Sequence, residues 1–336
     1  MNTRANQLRQ FLLGRTVRLC KMALISLLSF FSICAYGSDY PNKPVRLVVP
    51  FDVGGTTDIL GRLIATELAA TLGQPVVVEN RPGAGSNIGT DVVAKAAPDG
   101  YTLLLASPAI ASNGALYGSL PFDPNRDLTP LSLLAEIPIV LVVNPELPVH
   151  SVEDLISYAS RHPGDLNFGS SGNGGIGHLT GEMLKSMTKI DIVHVPFKGN
   201  GPALNNLISG FTQLTFSDLV GALPHIQSGK LRAIAITGVK RSPLLPDTPT
   251  MIESGVDGFV ATSWFGLFVT GGTPKQVLNT LGDARQHIFA RSDFTERLRG
   301  LGFDVVGSSA DQFRDFYQEE IVKWTDVVTS SGATVN

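Results

Sequence analysis

Glycine, threonine, serine and histidine gather at two points where an apolar run gives way to a helical pattern. The first reads Pro50-Phe51-Asp52-Val53-Gly54-Gly55-Thr56-Thr57-Asp58. The second reads Ser170-Ser171-Gly172-Asn173-Gly174-Gly175-Ile176-Gly177-His178. A strand that enters a helix through glycine points unpaired N–H groups, and the positive end of the helix dipole, at one spot. That chemistry suits an anion. Gly54 and Gly55 allow close backbone approach, and Thr56 and Thr57 add hydroxyls. Asp58 fits either a ligand amine or a helix-start cap, and capping is the commoner use of Asp there. The junctions lie more than 100 residues apart, which suggests two domains facing each other across a cleft.

The same residues allow other chemistries. Gly172-x-Gly174-x-x-Gly177 has dinucleotide-binding spacing, but that site needs an acidic residue ending the next strand. The chain offers His194-Val195-Pro196-Phe197-Lys198 there, with no carboxylate. The first loop has no lysine after its glycines, which excludes a phosphate loop of the NTPase type. Ser171 with His178 is the best nucleophile and base pair, yet Ser171 lacks the G-x-S-x-G spacing. A bland role for His178 is to hydrogen-bond the loop and fix its shape. His150, His162, His194, His225 and His287 show no ligand spacing, so no metal is expected and no cofactor is implied. Asp218, after a strand end, suits a ligand amine or hydroxyl, or a turn cap. Lys198 reads as a solvated loop lysine, Trp264 as cleft lining or core, and Glu319, Glu320 and Asp293 as solvated faces.

Residues 1–37 carry Arg4, Arg9, Arg15, Arg18 and Lys21 before a short apolar stretch and Ala35-Tyr36-Gly37. This reads as a secretory signal peptide, with an uncleaved membrane anchor as the bland alternative, so the mature chain is expected to be exported. Both cysteines, Cys20 and Cys34, fall in that segment, so no disulfide or thiol chemistry is expected beyond it. The formal charge of the whole chain is −3. Without the leader, 21 basic residues face 29 acidic ones, about −8, which argues against nucleic acid. The mature chain is expected to be monomeric.

Alternating strand and helix patterns must position the two junctions. Strands are expected at 45–49, 75–79 and 101–106, with helices at 59–72 and 88–96, a βαβαβ unit with a parallel sheet. A further strand is expected at 140–143. The pattern restarts with a helix at 152–160, N-capped by Ser151 with Asp154 three positions on. Strands then fall at 167–170, 192–196, 213–216 and 231–237, with helices at 179–187, 202–209 and 223–228. After a proline-rich loop at 240–249 come a strand at 264–269 and helices at 274–290, 294–300 and 310–330. The first of these last helices takes Thr273 as N-cap and Pro274 as its first residue. These three helices have no sheet of their own and are expected to pack on the first unit. The domains then divide as 38–141 plus 261–336 against 142–260, with hinge strands near 140–143 and 264–269.

Several stretches together resemble the tripartite tricarboxylate transporter substrate-binding proteins, the Bug family of periplasmic receptors. They are Tyr40-Pro41-x-Lys43-Pro44-Val45-Arg46, Pro50-Phe51-x-x-Gly54-Gly55-x-x-Asp58, Glu79-Asn80-Arg81-Pro82-Gly83-Ala84-Gly85 and Pro98-Asp99-Gly100-Tyr101-Thr102-Leu103. His194-Val195-Pro196-Phe197-Lys198-Gly199, Leu223-Pro224-His225-Ile226 and Ser263-Trp264-Phe265-Gly266 complete the set. The resemblance implies an α/β, two-domain periplasmic-binding-protein fold (Venus flytrap, type II-like) with two hinge-crossing strands and no catalysis. It implies a small carboxylate ligand pinched between the lobes and passed to the permease subunits of a tripartite tricarboxylate transporter. The ligand-binding residues it points to are Phe51, Gly54, Gly55, Thr56, Thr57, Asp58 and Ser107, facing Ser171, Gly172, Asn173, Gly174, His178, Ser217 and Asp218.

The chain departs from the family pattern at Asp52-Val53, where Pro-Pro is commonplace. It departs again at Gly175-Ile176-Gly177, where hydroxyls often precede the histidine, and at Phe216-Ser217-Asp218, where Phe-Asp-Asn is frequent. These changes bear on the ligand rather than the fold. The competing classes are a sensor accessory receptor and a secreted serine hydrolase using Ser171 and His178.

Overall fold

A computed structural model describes residues 40–334. The leader reading, with both cysteines, falls outside the described residues. Both lobes lie within the unit that begins at Lys43.

The first βαβαβ unit forms as its pattern requires. Strand β1 (Val45–Val49) runs into helix α1 (Thr56–Leu72), and β2 (Val76–Asn80) leads through a tight turn to α2 (Asn87–Ala94). Strand β3 (Thr102–Ala106) follows, and β1 pairs in parallel with both β2 and β3. Val45, Leu47, Val48 and Val49 are fully enclosed, as a parallel strand covered on both faces should be.

The next two elements differ from expectation. Helix α3 (Ala109–Tyr117) fills a stretch where no element was expected, and strand β4 runs from Leu128 to Val143 rather than over 140–143 alone. Pro130 and Pro138 hid the first part of β4, since proline argues against a central strand. The ladder tolerates the first of them because its register shifts between Pro130 and Ser132, where an irregularity releases the missing N–H.

Strand β4 joins the two lobes. From Leu128 to Pro138 it pairs with the later strand β9 (Thr262–Thr270). From Ile139 to Val143 it pairs with β7 (Leu214–Asp218) and β8 (Arg232–Ile236) of the second lobe. The chain returns at Ala261–Thr262. There Thr237 clasps both crossings: its N–H donates to Ile139 O, its hydroxyl donates to Ala261 O at 2.5 Å, and Ala261 N–H donates to Thr237 O. The result is a two-lobed α/β fold with hinge-crossing strands.

The second lobe repeats the parallel pattern. Helix α4 (Val152–Arg161) starts at Ser151, whose hydroxyl accepts from Asp154 N–H as expected. Strand β5 (Asn167–Ser170) leads to α5 (Ile176–Thr188), β6 (Val193–Pro196) to α6 (Asn200–Ile208), and β7 to α7 (Leu219–Gln227). Strand β5 is parallel to both β6 and β7.

Helices α8 (Lys275–Phe289) and α9 (Ser292–Gly300) and the short strand β10 (Asp304–Val305) return to the first lobe, β10 pairing with β4. Pro274, not Thr273, holds the N-cap of α8, because the Thr273 hydroxyl turns back to Thr270 O. Helix α10 (Ala310–Ser331) packs on α3 and β4 but also on α5 of the second lobe. Glu320 of α10 is not a solvated residue: it is 6% exposed and accepts from the indole N–H of both Trp264 and Trp324 at 2.7 Å. Trp264 is therefore core. Glu319 and Asp293 are exposed, as expected.

Candidate functional site

The expected residues lie at the carboxyl ends of β1, β3, β5 and β7, the side of an open α/β sheet where ligands bind. In the first junction Gly54 takes φ +85°, a left-handed turn that glycine adopts without strain. Gly55 stands at the N-cap of α1 with extended backbone and no side chain to cap the helix. The N–H groups of Thr56 and Thr57 find no acceptor among the described residues. The junction thus presents open donors.

Asp58 sits under this loop rather than in it. It is 2% exposed and accepts from Gly54 N–H, Arg62 Nε and Asn80 Nδ2, each at 2.9 Å. Burial opposes its charge, but the Arg62, Gly54 and Asn80 donors outweigh burial and hold the carboxyl below its ordinary value. Asn80 also donates to Phe51 O at 3.1 Å. Asp58 and Asn80 therefore set the loop's shape. Ser107, half-buried after β3, accepts from Ile110 N–H and opens α3.

The second junction is built on two histidines. His178 is 3% exposed, and its Nδ1 accepts from Gly174 N–H at 3.1 Å. Its ring stacks on that of His194, centroids 3.9 Å apart, and His194 in turn meets Phe168. Ser170 Oγ lies 2.6 Å from His194 Nε2 and also accepts from Gly172 N–H. Burial, with Lys185 adding to it, pushes His178 down to about 4, and burial with His178 nearby pushes His194 down to about 3. Both rings are neutral at pH 7, so His178 can serve as the acceptor that shapes the loop. Above them Gly175 caps α5 without a side chain, and the N–H groups of Asn173, Ile176 and Gly177 find no acceptor among the described residues.

The glycine spacing has a packing cause. A Cβ on Gly177 would come 2.5 Å from Phe216 O, and one on Gly181 would fall on the Phe168 ring. Helix α5 therefore lies close against β7 and β5, which accounts for Gly177 without a nucleotide. Ser171 is exposed and makes no hydrogen bond to His178, so the hydrolase pair is not assembled. Ser217 donates to Asn200 Oδ1 at 3.0 Å and to Asp218 O. Asp218, N-cap of α7, makes no capping bond, and burial pushes its carboxyl up to about 6.

The structure brings the two junctions into one neighbourhood by a route the sequence did not reveal. A Cβ on Gly89 of α2 would touch Pro50 beside the first loop. Asn113 of α3 donates to Gly85 O and Asn87 Oδ1 at the start of α2. A Cβ on Gly174 would come 2.8 Å from Leu116 of α3. Helix α3 thus carries the first lobe up to the second loop. Asn80, Asn113, Leu116, Ser170, His194 and Asn200 were missed as parts of this site. Only Asn80 and His194 stand in the stretches that carry the family resemblance. Lys198 is exposed, as a solvated loop lysine should be. A separate open groove of about 530 Å³ between α1 and α9, lined by Ile59, Arg62, Leu63, Thr66, Arg297, Gly300 and Leu301, contains none of the expected residues. Among the described residues no group of His, Cys, Asp and Glu side chains is placed to hold a metal.

Residues 60–333 match the family described as tripartite tricarboxylate transporter family receptor. The chain is 39% identical to protein BugT of Bordetella pertussis over 296 residues, covering 88% of this chain and 91% of that protein. It is similar in fold to R. palustris Rpa4515 solved with adipate, with a TM-score of 0.80, 38% identity, and coverage of 88% of this chain and 100% of that one. It is also similar to MatC of Rhodopseudomonas palustris solved with bound malate, with a TM-score of 0.77, 37% identity, and coverage of 86% and 100%.

Proposed function

The chain belongs to the tripartite tricarboxylate transporter receptor family, and from that premise we propose that it captures a small organic carboxylate between its two lobes and delivers it to a membrane permease of that transporter type. It is a periplasmic binding protein and not an enzyme. The observation that carries the ligand reading is the pair of uncapped helix starts, one per lobe, each at the carboxyl end of a buried strand. A carboxylate fits them because charge-assisted N–H···O bonds contribute roughly 1.5–3 kcal/mol each and a helix dipole about 0.3–1 kcal/mol more.

On this reading the first lobe binds with the Phe51, Gly54, Gly55, Thr56 and Thr57 segment, shaped by Asp58 and flanked by Ser107. The second binds with Ser171, Gly172, Asn173 and Gly174, shaped by His178, with Ser217 and Asp218 alongside. The lobes divide as 38–141 plus 261–336 against 142–260, and the receptor acts as a monomer. Closure is a population shift, so the ligand must touch both lobes to favour the closed state. The adipate and malate held by its relatives suggest dicarboxylates of similar length as first probes.

Thermal unfolding of the purified mature protein against a panel of mono-, di- and tricarboxylates tests this. At least one acid should raise the melting temperature in a saturable way. A flat response across the panel, with the protein folded, would remove the carboxylate reading.

A further inference from the structure

Helix α1 carries two stripes. Leu60, Gly61, Ile64, Ala65 and Leu68 are buried and face the core. Ile59, Arg62, Leu63 and Thr66, spaced i, i+3, i+4 and i+7, share another side and line the open groove against α9. Arg297, Gly300 and Leu301 answer from α9 and its end at the same spacing. Ile59 and Leu301 remain 44% and 41% exposed. A surface helix ordinarily turns polar residues outward, so an apolar second stripe marks a contact surface.

The groove is also basic. Arg62 pairs with Asp58 and still keeps 53% of its side chain exposed. Arg297 is exposed and pairs with no carboxylate among the described residues. The two acids of α1 are both engaged, Asp58 by Arg62 and Glu67 by Arg291. Glu296 of α9 does not line the groove. On a chain of net negative charge, this face therefore complements an acidic segment with apolar side chains.

The groove ends at the seam between the lobes. Leu301 forms that end, and the next residue, Gly302, takes φ +87°. A Cβ on Gly302 would come 2.5 Å from Val220 of α7 and 4.0 Å from Leu244, both exposed residues of the second lobe. An occupant seated against Leu301 thus stands beside both lobes. A turn of one lobe on the other changes what it meets.

Delivery requires a permease to tell a loaded receptor from an empty one. Resting on the receptor reading above, we propose that the groove between α1 and α9 docks an acidic, apolar-faced segment of the membrane permease. Its place at the seam couples docking to closure, because a partner that prefers one lobe arrangement shifts the population towards it.

The test is binding of the full mature receptor to each tripartite tricarboxylate-type permease of the source organism, held in lipid nanodiscs. The receptor is used with and without a carboxylate that raises its melting temperature. Loaded wild type should bind one permease, and more tightly than empty receptor. Arg297→Glu and Leu301→Ser should each weaken that binding at least about tenfold, while keeping the melting-temperature rise given by the carboxylate. Wild-type binding by both variants would overturn the proposal, as would loss of the carboxylate response in both, which would tie the groove to the ligand cleft instead. Equal binding to nanodiscs without permease would make the groove a lipid contact. Self-association abolished by the variants would make it an interface between copies of this chain. Equal binding of loaded and empty receptor would overturn the coupling to closure. Failure of wild type on every permease, with the carboxylate still bound, would overturn the delivery reading itself.

Discussion

Asp58 and His178 show how a polar residue in a binding loop can act on the backbone rather than on a ligand. Each is buried, and each accepts an N–H from the glycine four residues earlier: Gly54 for Asp58, Gly174 for His178. The sequence allowed both readings, because Asp favours helix starts and a histidine opening a helix is close enough to bond its own loop. His194 and Asn113 were not legible. Their partners lie 24 residues away at Ser170 and 28 away at Gly85, and neither residue carries a local pattern. The histidine stack has a pH consequence. An unfolded histidine binds its proton near 6.5, while folded His178 and His194 are held down to about 4 and about 3. Below pH 6.5 the unfolded chain binds protons that the folded chain refuses, so stability falls as pH drops towards 4. Asp218 acts oppositely: its raised carboxyl takes a proton first in the folded state, which stabilises that state as pH falls below 6. Glu136, which burial also raises, acts as Asp218 does, so the loss set by the two imidazoles is read against both carboxyls. His194→Phe should keep a ring on Phe168 and flatten this loss, read by urea unfolding between about pH 7 and 4. An unchanged slope would show that His194 does not contribute to it.

Elements with a strong local pattern were legible, and those shaped by tertiary contact were not. The βαβαβ unit from Val45 to Ala106 follows its hydrophobic periodicity, with strands parallel as expected. Helix α3 was missed because it has no polar face: Ser112 and Asn113 are as buried as Ile110 and Leu116. Strand β4 was read short because Pro130 and Pro138 look like breakers, although an irregular register accommodates the former. The hinge itself rests on Thr237, a residue outside every motif. Its hydroxyl bonds Ala261 O and Ile139 O, one on each crossing. Thr237→Val keeps the shape and removes both bonds, so it should cost about 1–3 kcal/mol in unfolding free energy. Unfolding indistinguishable from wild type would show that the clasp is not needed.

At the scale of the whole molecule, one strand continuous through both sheets and one return crossing make β4 the line about which the lobes can turn, within the freedom left by a buried cluster that runs from Val48 and Leu104 of the first lobe to Phe168 and Leu184 of the second. Helix α10 limits that freedom, since it packs on α3 and on α5 together. The sequence predicted two lobes from two junctions, and it missed that α3 links them by reaching Gly174. Charge shaped the expectation well at this scale. A net negative receptor can hold an anion because local backbone donors dominate the field at the site. The central claim is that open N–H groups from both junctions hold one carboxylate together. The direct measurement is a backbone amide NMR titration of labelled, deuterated protein with a carboxylate that raises its melting temperature. The amides of Thr56 and Thr57 should shift together with those of Asn173, Ile176 and Gly177 at a single saturation point. Shifts confined to one junction, or absent from both while the protein is saturated, would contradict the account.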